Sequence, residues 1–236
     1  MAKKKLQTGT SRGQRIAIWA IMVLTIGSTI ALYVGSILSN KNQNEENKRK
    51  MDQLTAYRAA VQEYQNKVDA QAKKLSAKYY SNFVQYKNSA SAFNAANAEA
   101  LKEVEKKDLV VGEGEEITSE TNKFTAYYIG WKPDGTVFDG SFNDDSLKAP
   151  FVAKKTANQW NVITGWADGV QGMKAGGVRE LTIPSNLAYG AQGSKNQQDS
   201  SKSIDANMPI KFVLIVIPSD EVEEFAMPNY ADYIKE

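Results

Sequence analysis

The chain has neither cysteine nor histidine. Without cysteine there are no disulfides, thiol nucleophiles or thiolate metal sites, and the redox compartment stays undecided. Without histidine there is no Ser-His-Asp or Cys-His catalysis and no imidazole-bound zinc or iron. Any chemistry must run on carboxylates, lysine, tyrosine or no proton transfer at all. Excess charge is scarce too: 29 basic and 27 acidic residues leave a net +2. No basic patch interleaves with aromatics, so nucleic acid is not an expected partner. There is no phosphate-binding glycine loop and no internal repeat. Glu113, Glu115 and Glu116 form an acidic loop, but they lack the ligand spacing of a calcium loop and read as solvated.

What is present divides along the chain. At 236 residues there is room for one or two domains. Residues 1–15 carry Lys3, Lys4, Lys5, Arg12 and Arg15 and no acid. Ile16–Leu38 is uncharged and apolar. As a helix it would span roughly 34 Å, enough for a bilayer core. Trp19 and Tyr33 lie towards its two ends, as interfacial aromatics do. The rival reading is a cleaved signal peptide, whose apolar core is usually about 7–15 residues with a small-x-small exit. Gly35-Ser36-Ile37-Leu38 matches that exit poorly, which favours an uncleaved single-pass anchor. The purely basic start favours a cytoplasmic N-terminus with the bulk of the chain outside, in an extracytoplasmic position.

Residues 39–107 read as a helical stalk. Leu54, Val61, Val68 and Leu75 recur every seven residues, with Tyr57 and Tyr64 three positions after the first two. No proline or glycine interrupts Lys50–Ser89. Two readings stand side by side. One is a coiled coil that makes a homodimer through the stalk. The other is an amphipathic helix packed on a second helix, Ala92–Lys106.

Residues 108–218 change character, towards short strands and turns. Phe124–Trp131 is a strand, Lys132-Pro133-Asp134-Gly135 a turn, and Val137-Phe138-Asp139 and Pro150-Phe151-Val152 short strands. In Trp160–Gly190, Gly165 breaks the chain before a short helix opened by Trp166, with Val170 and Met173 on its apolar side. Gly176 and Gly177 end that helix, and Val178–Ile183 is a strand stopped by Pro184. Ala191–Ser203 is a polar loop, Pro209–Ile217 a buried strand, and residues 219–236 an acidic tail. A helix this short cannot stand alone, so the strands must wrap it.

Taken in order, AYYIGWKPDGTVFDGSF, PF, NVITGWADGVQGMKAGGVRELTIPSNLAYG and NMPIKFVLIVI resemble the FKBP-type peptidyl-prolyl cis-trans isomerases over nearly half the chain. The resemblance implies an α+β fold: an antiparallel half-barrel sheet wrapped around one short helix. Here that domain follows a transmembrane helix and a helical stalk.

The resemblance also implies a site. Tyr128, Phe138, Phe151, Val162, Trp166, Ile204 and Phe212 would bind the prolyl group, with Trp166 as floor. Asp139, Tyr189 and the Ile163 backbone N–H would act on the amide. No metal and no cofactor is implied. The partners would be proline-containing protein or peptide clients, and the activity that of a membrane-tethered folding helper. The loop after Tyr189 is longer than the family's and lacks its prolines, and Asp205 stands where a proline is common. Two further classes stay open: a binding or chaperone module with little turnover, and a tether whose working part is the stalk.

Overall fold

A computed structural model describes residues 41–234. They begin with helix α1 (Lys41–Phe83) and a short α2 (Ala95–Glu99). Seven strands follow: β1 (Glu105–Val110), β2 (Lys123–Trp131), β3 (Val137–Gly140), β4 (Phe151–Thr156), β5 (Gln159–Trp160), β6 (Val178–Ile183) and β7 (Ile210–Ile217). A third helix, α3 (Thr164–Gly169), lies between β5 and β6. The anchor expected at Ile16–Leu38 lies outside the described residues. Among the described residues no helix is long and apolar enough to cross a membrane.

The sheet is antiparallel, in the order β1-β6-β7-β2-β4-β5. Strand β2 is its hinge. One edge of β2 pairs with β7 from Thr125 to Trp131. The other edge is shared: Lys123–Ala126 pair with β4, and Ile129–Trp131 with β3. Side chains alternate across a strand. Phe124 and Ala126 therefore join one apolar cluster, with Tyr128 packed against it, while Tyr127, Ile129 and Trp131 join another. Strand β7 divides the same way, Ile210, Phe212, Leu214 and Val216 against Val213, Ile215 and Ile217. A strand buried on both faces reads as a continuous apolar run, and β7 does.

The inner face holds α3. This helix is held very close to β6: a Cβ at Gly165 would lie 2.3 Å from Ile183 Cγ2, and one at Gly169 2.5 Å from Leu181 Cδ1. The two glycines are four apart, on one side of the helix. Gly165 therefore lies inside the helix and sets its depth, rather than breaking the chain ahead of it. The helix also ends earlier than expected, at Gly169 with Val170 as cap, and Gly172 turns the chain at φ +78° before Gly176 and Gly177 are reached. Val170 and Met173 are still buried beneath it.

The outer face is covered by the last turns of α1. Leu75, Tyr79 and Phe83 recur every four residues and pack with Tyr127, Ile129, Trp131, Val213, Ile215 and Ile217. Ser76 Oγ accepts a hydrogen bond from the Leu147 N–H at 2.8 Å. The stalk helix thus packs on the sheet, not on a second helix over Ala92–Lys106. That segment forms helix only from Ala95 to Glu99, where Asn94 Oδ1 caps the Asn97 N–H at 3.0 Å. From Glu105 the backbone pairs with β6 instead. A long-range ladder overrides the local helix preference of this Ala- and Glu-rich segment, as tertiary pairing routinely does.

Two compact units result, residues up to Val68 with Phe225–Glu236, and Asp69–Glu224. In the first, Leu54 and Tyr57 are buried, and the Tyr57 ring meets Tyr230 and Tyr233 edge-on at 5.0 and 5.6 Å. In the second, Val222 is buried, and Glu221 and Glu224 tie residues 219–224 to Lys78, Lys123 and Lys154.

Candidate active site

Helix α3 brings Trp166 to the centre of the inner face. Three rings surround the indole edge-on: Tyr128 at 5.0 Å, Phe212 at 5.2 Å and Phe151 at 5.8 Å. Phe138 meets Phe212 at 5.5 Å, also edge-on. Edge-to-face contacts suit the ring quadrupole, each adding about 0.5–1.5 kcal/mol beyond area burial. The rings come from β2, β3, β4, α3 and β7, so the cluster exists only when the sheet is closed around the helix. Gly130 makes room for it: a Cβ there would lie 2.4 Å from the Phe212 ring and 2.8 Å from Phe138 Cζ.

The cluster is graded in exposure. Trp166, Phe212, Phe138 and Ile204 are buried. Tyr128, Phe151, Val162, Ile163 and Tyr189 are only partly buried and rim the group. All ten residues singled out from the sequence lie in or around one region: nine in this apolar cluster or packed against it, and Asp139 hydrogen-bonded to Tyr128.

The polar groups are few. Asp139 Oδ2 accepts from the Tyr128 hydroxyl at 2.6 Å, and Oδ1 accepts from the Gly140 N–H at 2.8 Å. Burial, with the Asp139 charge as a smaller cause, pushes the Tyr189 hydroxyl up to about 12. Tyr189 is therefore a neutral hydrogen-bond donor at neutral pH. Ile163 caps the start of α3, its carbonyl accepting from the Trp166 N–H at 3.0 Å. Trp166 Nε1 is buried with no acceptor among the described residues.

The longer loop after Tyr189 is held by bonds within itself and is tied to the end of β2 by Lys132 Nζ, which donates to the Ser201 carbonyl at 2.7 Å. Ser194 and Ile204 exchange two backbone hydrogen bonds of 2.7 Å. Inside it, Asn196 Oδ1 accepts from the Gln198 and Asp199 N–H groups, and Asp199 Oδ1 from Ser201. The loop's polar composition is thus spent on its own backbone, and Ile204 still reaches the inner core.

Three supports were not read from the sequence. Ser141 pairs with Tyr128 where β2 passes from β4 to β3: Ser141 Oγ accepts from the Tyr128 N–H at 3.0 Å, and the Ser141 N–H donates to the Tyr128 carbonyl at 2.8 Å. Arg179 is buried beneath α3 and donates Nη1 to the Gly169 and Gln171 carbonyls at 2.8 and 2.9 Å. Its Nε and Nη2 bind Asp108 at 2.6 and 3.1 Å. Gly130 is the third, and a glycine inside a strand pattern was a usable signal of close approach. Ser141 and Arg179 carried none, since their partners are distant in sequence.

The family model for FKBP-type peptidyl-prolyl cis-trans isomerase matches residues 114–216. An FK506-binding protein of Neisseria meningitidis serogroup A is 41% identical over 87 residues, covering 37% of this chain and 74% of the relative. An FK506-binding protein of Streptomyces anulatus is 40% identical over 89 residues, covering 37% of this chain and 67% of the relative. With the matched segment holding the whole aromatic cluster, the chain belongs to the FKBP-type peptidyl-prolyl cis-trans isomerases.

Proposed function

We propose that the aromatic cluster over Trp166 binds the prolyl group of protein clients and turns the X–Pro bond, close to a membrane to which Ile16–Leu38 holds the chain. The peptide barrier is about 18–20 kcal/mol because resonance keeps the amide planar. Resonance places negative charge on oxygen and positive character on nitrogen, and water stabilises that polar planar state. The twisted amide has less charge separation. A dry, ring-lined surface therefore disfavours the planar state relative to the twisted one. No nucleophile is needed, which agrees with a chain that lacks cysteine and histidine.

In this reading Trp166, Phe212, Tyr128, Phe151, Phe138, Val162 and Ile204 enclose the ring. The Ile163 N–H and the Tyr189 hydroxyl hold client carbonyls. Asp139 fixes the Tyr128 hydroxyl and sets the local polarity. One observation carries it: three rings stand edge-on to Trp166 within 5.0–5.8 Å, with Tyr128 and Phe151 left partly open.

The test is isomerisation of a short Ala-Pro peptide by Asp139→Val and Phe212→Tyr variants. Both should lose at least about tenfold in kcat/KM, the loss of one well-placed contact, while melting near the parent temperature. Unchanged turnover in both would remove these assignments. The anchor and its direction are tested by protease protection of the full chain in sealed vesicles, where residues 108–218 should behave as extracytoplasmic. Of the seam residues, Val61, Tyr64 and Val68 would be left for pairing of two stalks, because Leu54, Tyr57 and Leu75 are already buried within the chain. Sedimentation of the full chain in detergent measures it.

A further inference from the structure

We infer that Glu99, which lies ahead of the matched isomerase segment, is a positioning residue for Tyr189. This rests on the reading above that the Tyr189 hydroxyl serves the site. Strand β6 ends at Ile183, and Pro184 leads into a single 3-10 turn, Ser185–Leu187, that delivers Ala188 and Tyr189. Such a turn leaves its first N–H groups unpaired unless a side chain caps them. Pro184 has no side-chain acceptor, so the usual local cap is missing.

Glu99 supplies it from a distance. Its Oε2 accepts from the Ser185 N–H at 2.8 Å, and its Oε1 accepts from the Ser185 hydroxyl at 2.6 Å. Ser185 itself is buried. A carboxylate gripping one residue through two bonds fixes direction as well as distance. On its other side the turn is wedged against α3: the Leu187 carbonyl oxygen lies 3.1 Å from where a Gly165 Cβ would sit. The turn that carries Tyr189 is therefore held between Glu99 and the helix that carries Trp166.

Glu99 is itself held in place. It closes α2, whose Ala98 is buried and whose start is capped by Asn94. The segment before α2 is stapled to the domain by the Phe93 N–H to the Pro133 carbonyl at 2.9 Å and by Trp131 Nε1 to the Ser91 carbonyl at 3.1 Å. A residue outside residues 114–216 thus reaches the site through one turn of backbone.

The test uses the full chain with Glu99→Ala, Glu99→Gln, Tyr189→Phe and the Glu99→Ala/Tyr189→Phe double variant. Isomerisation of an Ala-Pro peptide is measured with kcat and KM separated, alongside the melting temperature. Glu99→Ala should lower kcat by about three- to tenfold with KM little changed, as displacement of a positioned group does. Glu99→Gln, which keeps an acceptor for the N–H, should fall between it and the parent. The double variant should be no slower than Tyr189→Phe alone, because the two act through one group. A Glu99 that acts apart from Tyr189 would instead multiply with Tyr189→Phe, whatever fall in melting temperature the lost Ser185 bonds bring. That result, or full activity in Glu99→Ala beside an impaired Tyr189→Phe, overturns this inference alone. Full activity in Tyr189→Phe overturns it together with the role given to Tyr189.

Discussion

Tyr127 and Tyr128 are neighbours on β2 and face opposite sides of one sheet. Tyr127 is fully buried under α1, its ring 6.2 Å from Tyr79, and its hydroxyl finds no partner among the described residues. Tyr128 is partly exposed on the inner face, and its hydroxyl is bound to Asp139 at 2.6 Å. The same contrast holds for the two faces as wholes. The outer face is covered by Leu75, Tyr79 and Phe83 of the chain's own helix, with Tyr80, Tyr86, Phe93, Leu109 and Phe142 partly buried around them. The inner face is roofed by rings that are left half-open. An aromatic cluster is therefore not a site by composition: one cluster here lies under a helix of the same chain, while the other keeps Tyr128 and Phe151 partly open.

The sharpest way to break that comparison is Phe83→Ala, which empties the most deeply buried position of the helix on the outer face. It should cost about 3–5 kcal/mol in chemical denaturation, as large-to-small changes in a packed core do. The kcat/KM per folded molecule should stay unchanged. A Phe83→Ala protein of parent stability would mean that the helix does not close that face.

The tyrosine pair gives a finer test. Tyr128→Phe removes a donor from Asp139 and should lower kcat/KM by about three- to tenfold, in line with the net worth of an ordinary hydrogen bond. Tyr127→Phe removes a buried hydroxyl that has no partner and should leave activity alone. Its stability should be equal or higher by about 1 kcal/mol, since an unpaired buried polar group is a cost. The two faces would lose their distinction if both changes affected turnover alike.

The smallest expected effect lies at the edge of the outer layer. Hydrogen bonds from Lys123 and then Lys154, reinforced by their charges, pull the Glu224 carboxyl down to about 2 from its ordinary 4.5. A carboxyl whose folded pKa is lowered stabilises the fold above its unfolded value, and that contribution fades as pH falls from about 4.5 through about 2. Glu224 is exposed, so the contribution is small. Melting curves of the parent and Glu224→Gln should differ slightly at pH 7 and converge by about pH 2, with turnover equal at neutral pH.

How much of this was legible follows from where the partners lie. The run Phe124–Trp131, rich in aromatic and β-branched residues, marks a strand, and the unbroken apolar run in β7 marks one buried on both sides. The floor residue Trp166 and the walls Phe151 and Phe212 were named from motifs, and the sheet brings them together. What the chain did not reveal was the cover of the outer face. Leu75 reads as the last step of a heptad seam, yet it packs on the sheet with Tyr79 and Phe83, because the nearest apolar surface is a sheet face of the same chain. The extent of α2 was misread for a related reason: nothing local to Glu105–Val110 announces that β6 will pair with it.

Residue type and order by themselves determined the chemistry available. A chain with no cysteine or histidine has no thiol or imidazole chemistry, and is left with carboxylates, lysine, tyrosine and the rings spaced along its strands. Only the tertiary structure decided which rings stay reachable, which carboxylate holds which turn, and where the long helix rests. Those outcomes depend on contacts between residues far apart in the chain, such as Glu99 with Ser185 and Arg179 with Asp108, and no local pattern encodes the meeting of two distant segments.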